Sequence, residues 1–345
     1  MDKLLTIVIP TYNMQDYLHR CLDSLVLKPE LMEFLEVLVI NDGSKDNSSV
    51  IAHEYASKYP QTFRVIDKEN GNYGSCVNRG LSEAKGKYIK ILDADDWFDV
   101  QEFELYIQNL KDFVDVDMIL TPYNFVYQDS RTKKLETRDI PTGTAFDYNT
   151  FSFEKLPYYP MHMVTYRTEM LRSIGYFQTE GISYTDTEWA SMPQYAIKQF
   201  VYFPYVVYQY LIGREGQTMD SDAIIRNAWH LESISKAMIE NRNKYLNSKS
   251  FVPGLADSIN LGQIERTVAS LYKMVLLKRN PAGEELERLR LFDDYLKENC
   301  SSAYAYVGGL RIKNLPIYYV RFWRKTGKRL SVDWARNAYR KLLHR

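Results

Sequence analysis

The chain has 345 residues, 45% of them hydrophobic and 14% aromatic, with 28 tyrosines; that is ample material for one large or two modest domains and excludes disorder as the default state. The net charge of zero hides an asymmetry: Arg311 to Arg345 holds eleven Lys and Arg against Asp333 alone, which leaves 33 basic and 43 acidic residues for the rest. Cys21, Cys76 and Cys300 are odd in number and form no CxxC pair, which argues against a disulfide framework or a zinc site.

Met1-Asp2-Lys3-Leu4 enters an apolar strand directly, without the charged and apolar regions of a leader, so no secretion signal is expected. Leu4 to Pro10 is a continuous apolar run stopped by proline, as suits a strand buried on both faces of a parallel sheet. The helix that follows can be capped by Asn13, and Leu18, Cys21, Leu22 and Leu25 give it one buried stripe. The pattern then repeats: strand Leu35 to Ile40, the turn Asn41-Asp42-Gly43-Ser44, a helix over 47–59, strand Phe63 to Asp67, a helix over 73–84, and strand Tyr88 to Leu92. Strands alternating with helices at this spacing predict βαβ units, a mostly parallel sheet, and right-handed crossovers that bring the strand ends to one edge. Further on, the pattern predicts a helix over 101–112, a strand from Met118 to Tyr127 leading into a hairpin or loop, an aromatic mixed region over 158–210, and helices over 221–246, 255–279 and 282–299.

Chemistry concentrates after the strands. Tyr-Ile-Lys-Ile-Leu ends in Asp93, Asp95 and Asp96, and carboxylates this close repel unless a cation sits among them; a hard divalent metal carrying phosphate is the natural occupant. Thr11, Asn13, Asp42 and Asp93 all fall just past strand C-termini, the crevice where open α/β sheets bind ligands. Asp42 can accept a hydrogen bond from an imide N–H such as uracil offers, or simply cap the next helix. Thr11 to Asn13 can meet a base or ribose, with Asn13 as an ordinary cap the plain alternative.

Four segments in order, Ile7-Val8-Ile9-Pro10-Thr11-Tyr12-Asn13, Val39-Ile40-Asn41-Asp42-Gly43-Ser44, Asn70-Gly71-Asn72-Tyr73-Gly74 leading to Asn78-Arg79-Gly80, and Leu92-Asp93-Ala94-Asp95-Asp96-Trp97, resemble the family 2 glycosyltransferases of GT-A fold. The resemblance covers residues 3–100 strongly and reaches more loosely to about 220. It implies an α/β GT-A fold with a helical C-terminal region: 1–220 catalytic (1–100 the nucleotide-binding half, 101–220 the acceptor half), 221–300 helical, and 301–345 a basic, aromatic tail. By motif, Pro10, Thr11, Tyr12, Asn13, Asp42, Asn70, Gly74, Asn78 and Asp93 would bind a nucleotide-diphosphate sugar, and Asp93 with Asp95 would be the DxD pair, Asp96 beside them, holding ribose and Mn²⁺ or Mg²⁺. The segment Gly181 to Trp189 is similar to the family stretch carrying the catalytic base. It puts the base at Asp186; Thr185 stands where the family has its first acid, which brings in Glu188 as second candidate. The plain alternative is that Asp186 and Glu188 open a helix with Trp189 in the core. Arg214, in Gly213-Arg214-Glu215-Gly216, matches a loop that folds over donor phosphates. His162 is read as an acceptor contact, a third metal ligand or a structural histidine.

A phosphatase of haloacid-dehalogenase type would want an aspartate after the first strand, and a nucleotidylyltransferase a Gly-rich basic loop; Ile9-Pro10-Thr11-Tyr12 offers neither. No Gln-x-x-Arg-Trp of processive synthases is present. The expectation is an inverting, metal-dependent transfer of one sugar, from a UDP-sugar by the resemblance, to a hydroxyl of a lipid-linked saccharide in surface polysaccharide assembly. A silent nucleotide-sugar-binding partner subunit is the alternative. The tail puts rings and cations together from Pro316 to Lys325, and Val332, Ala335, Tyr339 and Leu342 mark one stripe of a final helix. This reads as a segment docking on an anionic cytoplasmic membrane face, or on the protein's own acidic body. No nucleic-acid recognition motif is present, and the oligomeric state is left open.

Overall fold

The computed structural model describes residues 3–112, 116–128, 132–134, 140–151, 159–214, 227–248, 254–278, 283–313 and 315–331. The chain divides into two compact units, Met1–Glu215 with Gly254–Ala256, and Gly216–Pro253 with Asp257–Arg345.

The first unit is built on strands β1 (Leu5–Thr11), β2 (Leu35–Asn41), β3 (Phe63–Asp67) and β4 (Tyr88–Ile91), with helices α1 (Gln15–Asp23), α2 (Pro29–Met32), α3 (Ser48–Lys58) and α4 (Asn72–Glu83) between them. Every residue of β1 and β2 is buried, as the apolar runs require of strands covered on both faces. Polar residues inside find partners: Thr6 Oγ1 donates to Glu36 Oε2 at 2.7 Å, and Arg64 bridges Glu36 and Glu83. Next come β5 (Trp97–Phe98), α5 (Val100–Asp112), β6 (Met118–Leu120), β7 (Tyr123–Tyr127), β8 (Thr132–Lys134), β9 (Ala145–Asp147), β10 (Val164–Arg167), α6 (Thr168–Ser173), α7 (Asp186–Ser191), β11 (Gln199–Tyr202) and β12 (Tyr208–Ile212).

An eight-stranded sheet runs β3-β2-β1-β4-β10-β6-β11-β9. Of its strands only β10 and β9 run against the others, so the expected mostly parallel sheet is present. A second sheet has the order β5-β12-β7-β8. It explains one departure from expectation. The predicted strand Met118 to Tyr127 is two strands, broken at Thr121-Pro122: its first part pairs with β10 and β11, its second with β12 and β8. Pro122 has no N–H for a continuous ladder, and the chain changes sheets there. Asn13 does not cap α1; it sits two residues before the helix with φ 53°, and the N–H groups of Met14 and Gln15 at that end go to Ser48 Oγ and Asp46 Oδ2 instead.

The second unit is helical where described: α8 (His230–Leu246), α9 (Leu255–Lys273), continued by a π-turn over Met274–Lys278, α10 (Gly283–Asn299), α11 (Ser301–Gly308) and α12 (Tyr319–Thr326). Helix α12 carries part of the basic tail, and it is folded in. Tyr319, Val320 and Trp323 are buried, and Arg324 forks onto Asp293 of α10 at 2.7 and 2.9 Å while lying over the Tyr304 ring. These rings are packing, and this cation is paired internally. Exposed on the described tail are Arg311, Lys313, Arg321, Lys325 and Lys328. The expected stripe Val332, Ala335, Tyr339 and Leu342 lies outside the described residues. Among the described residues, no helix is long and apolar enough to cross a membrane.

One core residue gives a pH signature. Lys90 of β4 is 1% exposed, its ammonium donating to the carbonyls of His162 (2.7 Å) and Val164 (3.3 Å), and burial lowers its pKa from 10.5 to about 7. Between those values the unfolded chain holds the proton more tightly, so folding stability should rise with pH from about 7 to about 10 by up to ~1.4 kcal/mol per pH unit. Urea midpoints measured across this range should show that slope in the wild type and lose it in Lys90→Met; equal slopes in both would refute the assignment.

Candidate active site

The loops after β1 and β2 are stitched together. Asn13 Oδ1 accepts from Lys45 N at 2.7 Å, Asn13 N donates to Ser44 Oγ at 3.0 Å, and Met14 N donates to Ser48 Oγ at 2.7 Å. Pro10 and Thr11 are buried in the strand end, where the Thr11 hydroxyl donates to Ile9 O and the Thr11 carbonyl accepts from Asp42 N at 2.8 Å. Beside this seam an open cleft of about 480 Å³ is lined by Tyr12, Gly43, Lys45, Asp67, Lys68, Glu69 and Asn70. Tyr12 is 46% exposed there. Asp42 lies buried nearby, its Oδ1 accepting from Gly71 N at 2.9 Å and from the Lys68 ammonium, and its carbonyl from Asn70 Nδ2 at 2.9 Å. Lys68 also donates to Ser75 Oγ and Glu69 O. The sequence reading missed Lys68, although a lone cation one residue past a strand end was visible.

Helix α4 connects this cleft to the acids. Tyr73 donates its hydroxyl to Asp93 Oδ1 at 2.7 Å. Gly74 faces the Thr179 carbonyl so closely that a Cβ would sit 2.0 Å from it, and Asn78 gives its amide to Gln178 O and Glu180 Oε1 while accepting from Gln178 N. Both Asn78 amide hydrogens are therefore spent on the segment over 178–180. Gly74 and Asn78, expected to bind donor, act in the structure by seating that segment on α4.

Asp93, Asp95 and Asp96 leave β4 in a tight turn, with Asp96 N donating to Asp93 O at 3.0 Å. Each carboxylate has a separate environment. Asp96 is fully buried and accepts from Tyr208 OH (2.7 Å) and Leu211 N (2.8 Å); Asp93 N in turn donates to Tyr208 OH at 3.1 Å. Asp95 pairs with the Arg214 guanidinium, and its carbonyl accepts from Arg20, which lies 3.8 Å over the Trp97 ring. Tyr208 and Arg20 are functional neighbours that sequence reading overlooked. Tyr208 was hidden in a tyrosine-rich stretch, and Arg20 falls outside the apolar stripe of α1.

Beside Asp93 and Asp96 stands His162, and ligand atoms from these three residues all lie within 4.8 Å of one another. The imidazole is buried, its Nδ1 has no hydrogen-bond partner among the described residues, and burial together with the charge on Lys90 lowers its pKa to about 3. It is a neutral ring with an unused nitrogen. The carboxyl pKa of Asp93 is raised by burial and by Asp95, with Tyr73 opposing; that of Asp96 is raised by burial, Asp95 and Asp93. Two carboxylates whose ionisation is resisted, next to an orphaned imidazole nitrogen, fit a divalent cation.

Asp186 is the first residue of α7, reached through Gly181 and Tyr184, both at positive φ. It is half-buried, burial raises its pKa against the pull of Thr187 N–H, and its charge acts on Asp93 and Tyr73. Glu188 differs. Its two oxygens accept from Thr179 N and Thr179 Oγ1, both at 2.7 Å, and burial raises its pKa to about 7. Thr185 is buried, and Trp189 lies in the core as the plain alternative expected.

The glycosyl transferase family 2 profile matches residues 6–175. Residues 6–175 form a family 2 glycosyltransferase domain. An uncharacterized glycosyltransferase of Mycoplasma pneumoniae (the MG025 homolog) is 43% identical over 103 residues, 29% of this chain and 34% of that one. The minor teichoic acid biosynthesis protein GgaB of Bacillus subtilis is 34% identical over 125 residues, 35% of this chain and 13% of that one. These alignments span well under half the length of the curated relatives. The structure of S. aureus TarS 1-349 in complex with UDP superposes with a TM-score of 0.64 at 16% identity, covering 93% of this chain and 87% of that one. That likeness shows the fold, and the family 2 domain here has the GT-A architecture.

The two acids of α7 should separate by stability. Glu188→Ala strands the Thr179 donors and should lower unfolding free energy by about 2 kcal/mol, whereas Asp186→Asn should leave the urea midpoint near wild type. A Glu188→Ala midpoint equal to wild type would show that the Thr179 clamp contributes nothing.

Proposed function

We propose that this protein is an inverting glycosyltransferase that moves one sugar from a nucleotide-diphosphate sugar, UDP-linked, to a hydroxyl of a saccharide acceptor in surface polysaccharide assembly. The observation that carries the reading is the meeting, along one sheet edge, of the open cleft lined by Tyr12, Lys68 and Asn70, with Asp42 buried beside it, and the Asp93, Asp96 and His162 cluster and the half-buried Asp186. The UDP held by the TarS structure supports uridine as the base. Tyr12 offers an exposed ring for stacking, and the Asp42 carboxylate, held by Lys68 and Gly71, an acceptor beneath it.

Asp93, Asp96 and His162 would hold Mn²⁺ or Mg²⁺, which supplies positive charge against the diphosphate as it leaves. Asp95 adds a further carboxylate, and its partner Arg214 a second cation suited to phosphate oxygens. Asp186 takes the proton from the acceptor hydroxyl as that oxygen attacks the anomeric carbon from the face opposite the diphosphate. A carboxylate with a raised pKa is the stronger base, and such help is worth roughly 10²- to 10⁴-fold in rate. Glu188, with both oxygens bound to Thr179, positions the segment that carries Asp186.

Incubation with Mn²⁺ or Mg²⁺ and a panel of UDP-sugars should release UDP from one donor in the presence of acceptor extract, and chelation should stop it. Asp186→Asn should cut kcat by roughly 10²-fold or more while calorimetry shows UDP binding unchanged; Asp93→Ala should lose both turnover and the binding of Mn²⁺. Full turnover in Asp186→Asn would remove the base assignment, and UDP binding with no turnover on any acceptor would favour the silent-partner reading.

The acceptor is lipid-linked in this proposal, with the protein at the inner face of the cell membrane. The exposed cations Arg321, Lys325 and Lys328 support it, each worth about 1 kcal/mol near an anionic leaflet. Because Trp323 and Arg324 are packed inside the second unit, the test is charge reversal of the exposed residues rather than truncation. Arg321→Glu, Lys325→Glu and Lys328→Glu together should abolish sedimentation with phosphatidylglycerol vesicles, and unchanged sedimentation would discard membrane docking.

A further inference from the structure

The small sheet has one face that the mechanism does not use. Side chains alternate along a strand, so Tyr123, Phe125 and Tyr127 of β7 share a face, and the parallel register sets Tyr208, Tyr210 and Ile212 of β12 beside them. At one end of this face Tyr208 is buried with its hydroxyl on Asp96, and Tyr123 is buried against the His162 ring at 5.1 Å. Moving outward, Tyr210 and Phe125 are half-exposed, with ring centroids 5.9 Å apart. Tyr210 also lies 4.3 Å from His162. On β8, Lys133 stands opposite Phe125 and is exposed at the rim of the row.

The position of this strip along the sheet edge decides its use. In the order β3-β2-β1-β4-β10-β6, the Tyr12 and Lys68 cleft sits at the ends of β1 to β3, the acids follow β4, His162 precedes β10, and Tyr123 follows β6. The base cleft is on one side of the acids and the aromatic strip on the other. We infer that Phe125 and Tyr210 form a stacking platform for a sugar ring of the acceptor, holding it so that its hydroxyl meets Asp186. This inference rests on the glycosyl-transfer reading and adds to it the surface that selects the acceptor. The apolar faces of a pyranose match two half-exposed rings, and the ammonium of Lys133 and the Tyr210 hydroxyl give the polar rim that fixes orientation. The Tyr210 ring lies against that of His162, which stands beside Asp93 and Asp96. One end of the platform is thus at the reacting centre.

Saturation-transfer NMR tests this with Mg²⁺, UDP and the methyl glycosides of glucose, N-acetylglucosamine, galactose and N-acetylgalactosamine as probes. Wild type should give transfer to at least one glycoside. Phe125→Leu and Tyr210→Leu, which keep apolar bulk and lose the ring, should each weaken that glycoside by about tenfold, while Phe125→Tyr and Tyr210→Phe stay within about twofold. UDP affinity should be unchanged in both Phe125 variants, and all four variants should unfold cooperatively. Leucine variants that bind the glycoside as wild type does, or a wild type that binds UDP and none of the four glycosides, would overturn the platform. Glycoside binding that needs the rings in a protein that does not bind UDP would support the platform and refute the donor reading instead.

Discussion

Four carboxylates crowd the end of β4, and the surroundings of the site are arranged around the cost of keeping them there. Asp93, Asp95, Asp96 and Asp186 repel one another in a region where burial already disfavours charge, and the raised pKa values of Asp93, Asp96 and Asp186 express that cost. The three acids that follow β4 are relieved differently. Asp96 is held by a tyrosine hydroxyl and a backbone N–H, Asp95 by a guanidinium, and Asp93 by the hydroxyl of Tyr73. Removing one partner from such a set costs more than its own bond, because the remaining charges are left without compensation. The cluster is therefore stable as a set and poised to gain from a cation, which is the property a diphosphate-binding site needs.

Helix α4 is the mechanical link. Its first residues fold around the Asp42 and Lys68 network, its Tyr73 reaches Asp93, and its Gly74 and Asn78 seat the segment over 178–180. From that segment Thr179 holds Glu188, the third residue of α7, whose first residue is Asp186. One rigid element thus spaces the proposed base site, the acids and the proposed general base. Gly74 and Asn78, which look like donor ligands in sequence, and Glu188, the second candidate for the base, are used for this spacing.

Much of this was legible in the sequence because local pattern and global fold agree in the first hundred residues. Apolar runs of period-free burial, followed by Tyr12-Asn13 and by Asp42-Gly43-Ser44, dictate strands and turns with little competition, and β1 runs one residue past the proline expected to stop it. The four-strand parallel core and its C-terminal edge followed directly. Legibility failed where tertiary partners decide the outcome. Asn13 has the side chain of a helix cap and instead bonds Lys45 across to the next loop; Tyr208 has the profile of core packing and places its hydroxyl on Asp96. Neither partner is near in sequence, and a side chain with two possible hydrogen-bond fates is assigned only when the distant one is known. The split of β6 from β7 was readable at Pro122, whose missing N–H disfavours a continuous ladder, although Pro10 is tolerated near the end of β1.

The basic tail shows the same dependence for charge. Eleven cations in its last 35 residues suggested a single electrostatic surface, yet within one short helix the structure assigns neighbours opposite roles. Arg324 is desolvated, bound by both oxygens of Asp293 and stacked on Tyr304, so its charge is spent inside the second unit. Arg321 and Lys325 flank it in sequence and remain exposed. A buried, forked pair resists salt, whereas exposed cations are screened within about 8 Å at physiological ionic strength. Any attraction of this region to an anionic surface should therefore fall with salt while the fold of the unit does not, which separates the cations that hold the helix from those that can face a partner.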